Sequence, residues 1–255
     1  MLHRLALPGL AVALALGAAP ALAQAPSFSP EQRRAIEGIV KDYLLANPEI
    51  LQEVFAELER RQTDAQKTAQ VQALQSERSR IFDSSRDHVA GNPQGDVTLV
   101  EFTDYNCGFC KRALGDIKAL IKADPKLRVV FKDFPVLGPG SVEAARVSTA
   151  ARLQLKGERQ FDFHSRLMET RGQVNGERAM AVAKEMGLDM ARLQKDIDGP
   201  EVREAIGINV QLGDKLGLTG TPAFIVGDEV IFGAVGIDPL RKAIDNTRKC
   251  GKATC

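Results

Sequence analysis

Residues 102–112 read Phe102-Thr103-Asp104-Tyr105-Asn106-Cys107-Gly108-Phe109-Cys110-Lys111-Arg112. Two cysteines so spaced are a metal-ligand pair, a structural staple or a working redox couple. Upstream, Val97-Thr98-Leu99-Val100-Glu101-Phe102 is a nearly continuous apolar run, the pattern of a parallel strand buried on both faces. Downstream, Leu114, Ile117, Leu120 and Ile121 recur at helical spacing until Ala123-Asp124-Pro125 ends the run. Cys107 therefore falls where a strand hands over to a helix. Free backbone N–H groups and the helix dipole favour negative charge there, so its thiol ionises more readily than a free one. Cys110, one turn later, faces the same way and can resolve a mixed disulfide.

The metal reading asks for more ligands than the chain offers. A structural zinc site takes about four, and there is no second C-x-x-C. Of the three histidines, His3 lies in the leader, and His88 and His164 are not spaced as a ligand pair. No metal and no cofactor is expected. A helix start beside a parallel strand is also a poor place for a mere staple.

Further out, Leu127-Arg128-Val129-Val130-Phe131 reads as the next strand, completing a βαβ unit. From Ser141 to Leu216 the pattern is helical, with breaks near Gly157, Gly172 to Gly176, Gly187 and Gly199-Pro200. Ala223 to Val226 and Val230 to Phe232 then flank a Gly227-Asp228 turn, and a final helix runs from about Asp238 to Arg248. This α/β order is a thioredoxin fold over residues 86–255, interrupted by a helical insertion at about 138–216. Within Gly217-Leu218-Thr219-Gly220-Thr221-Pro222-Ala223-Phe224, a proline follows threonine at the start of a late strand. In thioredoxin folds a cis proline at that place lies beside the active cysteines, and the residue before it offers backbone hydrogen bonds to an extended substrate chain. The other reading is a proline that only marks the strand start.

The chain opens MLHRLALPGLAVALALGAAPALAQA, with Arg4, an apolar stretch from Leu5 to Ala19, and Ala21-Leu22-Ala23. The apolar stretch is shorter than the ~18 residues a membrane span needs, so residues 1–23 are expected to be a secretory signal, cleaved before Gln24. Export of this kind implies the periplasm, where disulfides persist, and no membrane insertion of the mature chain. With 34 basic and 33 acidic residues and a net charge of +1, nothing supports nucleic-acid or anionic-membrane binding. Ser29-Pro30-Glu31-Gln32 is a helix start. Ile36, Ile39, Val40, Tyr43 and Leu44 form one apolar stripe; beyond Asn47-Pro48, Ile50, Leu51, Val54, Phe55 and Leu58 form another. A helix pair cannot bury so much alone, so residues 24–58 are expected to be a helical oligomerisation head. Residues 59–85 follow as a polar helical linker whose first 22 residues would span ~33 Å. The alternative is that these helices pack back on their own catalytic domain.

The stretches GNPQGDVTLVEFTDYNCGFCKR, VVFKDFPVLGPGSVEAARVS and GLTGTPAFIVGDEVIFGAVG resemble the DsbA-type thioredoxin-like proteins of bacterial envelopes. The head and linker further resemble the ScsC-type (suppressor of copper sensitivity) disulfide isomerases. The resemblance implies that Cys107 is the nucleophile and Cys110 the resolving cysteine of a redox-active disulfide, with Thr221 and Pro222 forming the cis-proline loop. Gly108, Phe109, Thr221 and Pro222 would then meet the substrate. Glu101 matches a buried acid that assists proton transfer; otherwise it is a strand carboxylate satisfied by the backbone or by a basic residue such as Lys132. The Gly108-Phe109 dipeptide lacks the histidine of the strongest oxidants, which implies a milder oxidant and suits an isomerase. Exported protein substrates, a membrane reductase partner and a homo-oligomer, a trimer rather than a dimer, are implied as well. A monomeric disulfide oxidase and a copper-binding envelope protein are the alternatives. Cys250 and Cys255 close the chain either as a small disulfide loop or as a soft-ligand copper site or auxiliary redox pair.

Overall fold

A computed structural model describes residues 28–255; the expected signal, residues 1–23, lies outside the described residues. The chain forms two compact units, one ending at Glu59 and the other spanning Arg60–Cys255.

In the first unit, Ser29 caps helix α1 (Pro30–Ala46). Its Oγ accepts the Gln32 N–H at 3.2 Å, and its own N–H donates to Gln32 Oε1 at 2.8 Å. Pro48 disfavours helical backbone at Asn47 and ends α1 there, and α2 (Glu49–Ser76) follows. No residue of α1 is buried, and Ile39, Tyr43 and Phe55 are exposed by 68%, 58% and 66%.

The second unit is built on a five-stranded sheet. Its strands are β1 (His88–Gly91), β2 (Val97–Thr103), β3 (Leu127–Asp133), β4 (Ala223–Val226) and β5 (Glu229–Phe232), in the order β1-β3-β2-β4-β5. β2 and β3 are parallel and joined through α4 (Gly108–Ala123), whereas every other pairing is antiparallel. Central β2 is buried throughout except at Thr98, which is why its sequence reads as an apolar run rather than an alternation. Between β4 and β5 the chain turns at Gly227, whose φ is +61°; a side chain there would also press on Thr247 and Ala253. Helix α10 (Ile237–Cys250) completes the thioredoxin framework. The insertion between β3 and β4 comprises α5 (Pro139–Ala151), α6 (Glu158–Glu169), α7 (Gly176–Glu185), α8 (Met190–Ile197) and α9 (Pro200–Lys215).

One sheet face presents Leu99, Phe131 and Phe224 to Ile117 and Leu120 of α4 and Leu240 and Ile244 of α10. The other presents Val100, Phe102 and Ile225 to Phe134, Leu212 and Leu216. A third apolar cluster, inside the insertion, takes in both Cys107 and Cys110. The two thiols thus sit at the seam between framework and insertion.

Two features depart from the reading of the sequence. Residues 86–95, RDHVAGNPQG, read as a turn-rich entry to the fold, yet they contain β1, a short edge strand pairing His88 to Gly91 with Phe131 to Arg128. Four residues between turns are too few to show a period. The expected linker, 59–85, is also not solvated throughout. Leu74 of α2 and Ile81 and Phe82 of the short helix α3 (Arg78–Phe82) are buried against Val100 and Phe102. Gln70 Nε2 donates to the Leu216 carbonyl at 2.8 Å, and Arg128 Nη1 donates to that of Phe82 at 2.6 Å. Leu74 and Ile81 lie seven residues apart, so they make two anchor points without the continuous stripe that marks an amphipathic helix.

Ile81 is fully buried, so Ile81→Ala is expected to destabilise the second unit by about 2–5 kcal/mol. Urea unfolding checks this: the midpoint should fall, with the slope unchanged.

Candidate active site

β2 ends at Thr103, and the loop Asp104-Tyr105-Asn106 delivers Cys107 to the start of α4. Cys107 is the N-cap residue, with extended backbone (φ −78°, ψ 113°), and its Sγ accepts the Cys110 N–H at 3.4 Å. The Cys107 thiol donates to the Thr221 carbonyl at 3.1 Å. The Thr221–Pro222 peptide bond is cis, and the Gly233 N–H donates to the Pro222 carbonyl at 2.9 Å, tying this loop to the end of β5. Both Cys107 and Cys110 are free thiols, 5% and 1% exposed. The fold therefore brings together two pairs, Cys107 with Cys110 and Thr221 with Pro222, that lie more than a hundred positions apart in sequence.

The two thiols have opposite electrostatics. A hydrogen bond from the Cys110 thiol, joined by the backbone N–H groups of Cys110 and Phe109, outweighs burial and lowers Cys107 from the ordinary thiol value of 9.0 to about 5. Burial pushes Cys110 far up, and its bond to Cys107 and the charge of Glu101 add to the rise. At neutral pH only Cys107 is a thiolate, and the thiolate is the attacking form. Glu101 is 1% exposed, and its Oε1 has no hydrogen-bond partner. Burial, with the charge on Cys107 adding to it, raises its carboxyl to about 8. Lys132 is not its partner. Glu101 is aligned with Phe131 and Lys132 with Phe102, so the two side chains leave opposite faces of the sheet. Lys132 Nζ instead donates to Asp87 Oδ2 at 2.5 Å and to the Arg80 carbonyl at 2.8 Å.

Gly108 and Phe109 form the first turn of α4. A Cβ added at Gly108 would meet nothing within 4 Å. Phe109 is 55% exposed, and the Arg112 guanidinium lies 4.4 Å above its ring. Cys250 and Cys255 are joined as a disulfide. The loop they close buries Ala253, whose N–H donates to Asp228 Oδ1 at 3.0 Å and whose carbonyl accepts from Asn246 Nδ2 at 2.9 Å. This pair fastens the tail to the β4–β5 turn. Among the described residues, no group of three or more His, Cys, Asp or Glu is arranged to hold a metal ion.

The sequence reading missed the residues just before Cys107. Buried Asp104 accepts the N–H groups of Val136 and Leu137 at 2.9 and 3.0 Å through Oδ2, and the Asn106 N–H and Ser141 hydroxyl at 2.8 and 2.7 Å through Oδ1. Asn106 exchanges two hydrogen bonds with the Val174 backbone, at 2.9 and 2.7 Å. Tyr105 Oη lies 2.6 Å from Ser148 Oγ and 3.1 Å from His164 Nδ1, and Ser148 Oγ lies 2.9 Å from His88 Nε2. Burial, with the nearby charge of His88 adding to it, lowers His164 to about 3, so it stays neutral. A carboxylate at the end of a buried strand was the available signal, because such a group must find buried donors. The pattern does not say which donors.

A thiolate capping a helix, beside a proline loop, in a thioredoxin framework with a helical insertion defines the class of thiol–disulfide oxidoreductases. The chain belongs to the DsbA-like thioredoxin family, whose domain model matches residues 98–245. Residues 32–65 match a second model, the copper resistance protein ScsC N-terminal domain. A thioredoxin-like oxidoreductase from Silicibacter pomeroyi superposes with a TM-score of 0.64 at 42% identity, covering 68% of this chain and 98% of that one. ScsC from Proteus mirabilis, in a transitional conformation, gives 0.63 at 26% identity, covering 88% and 98%. A Na+/H+ antiporter from Herminiimonas arsenicoxydans is 29% identical over 170 residues, 66% of this chain. The chain spans about a quarter of the length of the curated relatives it matches. Among the described residues no helix is long and apolar enough to cross a membrane.

Two pH effects are expected. Because the folded Cys107 pKa is depressed, its ionisation stabilises the reduced protein fully above the unfolded thiol pKa near 9, and this gain is lost as pH falls towards about 5. The oxidised protein has no such contribution. The stability difference between reduced and oxidised forms should therefore vary between pH 9 and 5 and level off below. Thiolate absorbance should titrate near pH 5. Glu101 acts oppositely. Its raised pKa costs stability progressively from about pH 4.5 to about 8. Glu101→Gln should raise the melting temperature at pH 8 and leave it nearly unchanged at pH 4.

Proposed function

We propose that the protein is a periplasmic thiol–disulfide oxidoreductase acting on exported polypeptides, chiefly as a disulfide isomerase and reductase. The observation that carries this reading is the Cys107 sulfur at the start of α4, which accepts the Cys110 N–H at 3.4 Å and lies 3.1 Å from the Thr221 carbonyl of the cis-proline loop. A thiolate is thereby presented beside a backbone edge that an extended client chain can pair with.

In the first step the Cys107 thiolate attacks a client disulfide. A Cys107–client bond forms, and the second client sulfur leaves as a thiolate. In isomerisation that thiolate, or another in the client, attacks elsewhere until a client sulfur displaces Cys107, and no net electrons move. In reduction Cys110 loses its proton and attacks the Cys107 sulfur. The client leaves with two thiols, and Cys107–Cys110 becomes the disulfide. The ionised form of Glu101 is the acceptor for the Cys110 proton. Once Cys107 is bonded to the client its negative charge is gone, one cause of the raised Glu101 pKa goes with it, and the carboxylate becomes easier to form. Gly108, Phe109, Thr221 and Pro222 meet the client. A membrane reductase supplies electrons to return the pair to thiols.

The exposed apolar residues of α1 and the first turns of α2 support a homo-oligomer, because a contiguous patch of this kind is rarely left in water. The match of residues 32–65 to the ScsC N-terminal model supports the same assembly, taken here as a trimer, with residues 24–58 as its head and 1–23 as the export signal. That this N-terminal family belongs to a copper resistance protein also favours a second reading, in which the reduced thiols bind copper.

Reactivation of a scrambled, fully oxidised test protein by the reduced chain separates these readings. It would be run beside the full-length double variant Ile39→Glu, Phe55→Glu. The parent should be oligomeric by light scattering and should shuffle disulfides. The variant should be monomeric and lose about tenfold in shuffling, while still reducing a small disulfide. If neither shuffles but both, once oxidised, rapidly oxidise a reduced substrate, the protein is an oxidase that works as a monomer. Copper bound tightly by the reduced chain, without turnover, would favour the metal reading.

A further inference from the structure

A groove of about 620 Å3 in the second unit runs between α2 and the segment that leads into β4. One wall carries Thr63, Gln66 and Gln70 of α2; the other carries Leu216 and Thr219, and Phe232 stands at the end. The hydrogen bond from Gln70 to the Leu216 carbonyl fixes the helix to the floor, so the groove is formed before anything enters it.

The groove adjoins, along the chain and across the β4–β5 pairing, the loop that faces the dithiol. Thr219 lies two residues before Thr221, whose carbonyl receives the Cys107 thiol. Phe232 is aligned with Ala223, the residue after Pro222, and the next residue, Gly233, donates to the Pro222 carbonyl. In the segment between thiol and groove, the Thr221 hydroxyl is buried without a hydrogen-bond partner. A chain attached to Cys107 and following the cis-proline loop towards Thr219 or Phe232 would come to residues that line the groove.

The lining indicates what would occupy it. Threonine hydroxyls and glutamine amides both donate and accept, so they can satisfy a peptide backbone whatever its sequence. Phe232 is 47% exposed and offers one apolar contact. Lys67, Asp214 and Lys215 line the groove too, so its charges are of both signs, and the Lys215 ammonium is already held by Glu77. Such a surface suits an extended, uncharged stretch of polypeptide and gives a small, charged disulfide little to hold.

We propose that this groove is a second client subsite. It receives the extended segment flanking the disulfide engaged by Cys107, and α2 supplies one of its walls. The proposal rests on the thiol–disulfide exchange reading above and extends it. The enzyme selects unfolded chains over small disulfides, and the α2 segment is part of the client site as well as a connection.

The test measures kcat/KM of the full-length reduced chain with two substrates. One is an unstructured peptide of roughly 15 residues with a cysteine disulfide-linked to a chromophoric thiol; the other is glutathione carrying the same chromophore. In Gln66→Trp, an exposed helix position, the indole fills the groove; in Phe232→Ala the apolar contact is lost. The ratio of kcat/KM for peptide over glutathione should fall about tenfold in the first and about fivefold in the second, through KM for the peptide. The Cys107 thiolate titration should not move in either. A ratio that holds in both variants, or a loss that tracks a shifted thiolate titration, would overturn the subsite. A parent chain inert toward both substrates would overturn the exchange reading and the subsite with it.

Discussion

The structure turns on one constraint: a sulfur must serve as the cap of a helix. Cys107 takes the place usually filled by serine, threonine, aspartate or asparagine, and the N–H of Cys110 points at its Sγ. An oxygen cap would be inert, whereas a sulfur cap becomes a thiolate well below neutral pH. The same contacts that start α4 therefore favour the ionised thiol. The cost falls on its neighbours: Cys110 is pushed up by burial, and Glu101 is held protonated in the apolar interior.

Holding that sulfur in place engages both halves of the second unit. From the framework, β2 delivers the loop and the Thr221–Pro222 segment faces it. From the insertion come the partners of the three residues that precede Cys107. Asp104 gathers the backbone of Val136 and Leu137 and the Ser141 hydroxyl, Asn106 pairs with Val174, and Tyr105 reaches Ser148 and His164. Each is buried or nearly so, where an unpaired polar group is expensive. The insertion thus braces the dithiol through hydrogen bonds, and both cysteines also belong to its apolar cluster.

Much of this was legible in the sequence because it is local. The order of strands and helices, the glycine breaks through the insertion, the Gly227 turn and the Ser29 cap each depend on a few adjacent residues. The cysteine pair and Thr221–Pro222 could be joined because the fold order brings a first strand end and a late strand start together. What stayed hidden was non-local or aperiodic. β1 is too short to show alternation. Leu74, Ile81 and Phe82 anchor the end of the linker stretch without forming a stripe. His88 and His164 looked unrelated until Ser148 and Tyr105 linked them. Lys132, named in the sequence reading as a possible basic partner for Glu101, lies on the opposite face, a distinction set by one step of strand register.

The most direct measurement is to trap the covalent intermediate. Full-length Cys110→Ser and Cys107→Ser would each be mixed with an oxidised, unfolded client, quenched with acid and mapped by mass spectrometry. The expected result is a client adduct on Cys107 in Cys110→Ser and none in Cys107→Ser. Adducts on Cys110, or on Cys250 or Cys255, in place of Cys107 would contradict the assignment of the helix-capping sulfur as the nucleophile, and so would no adduct in either variant.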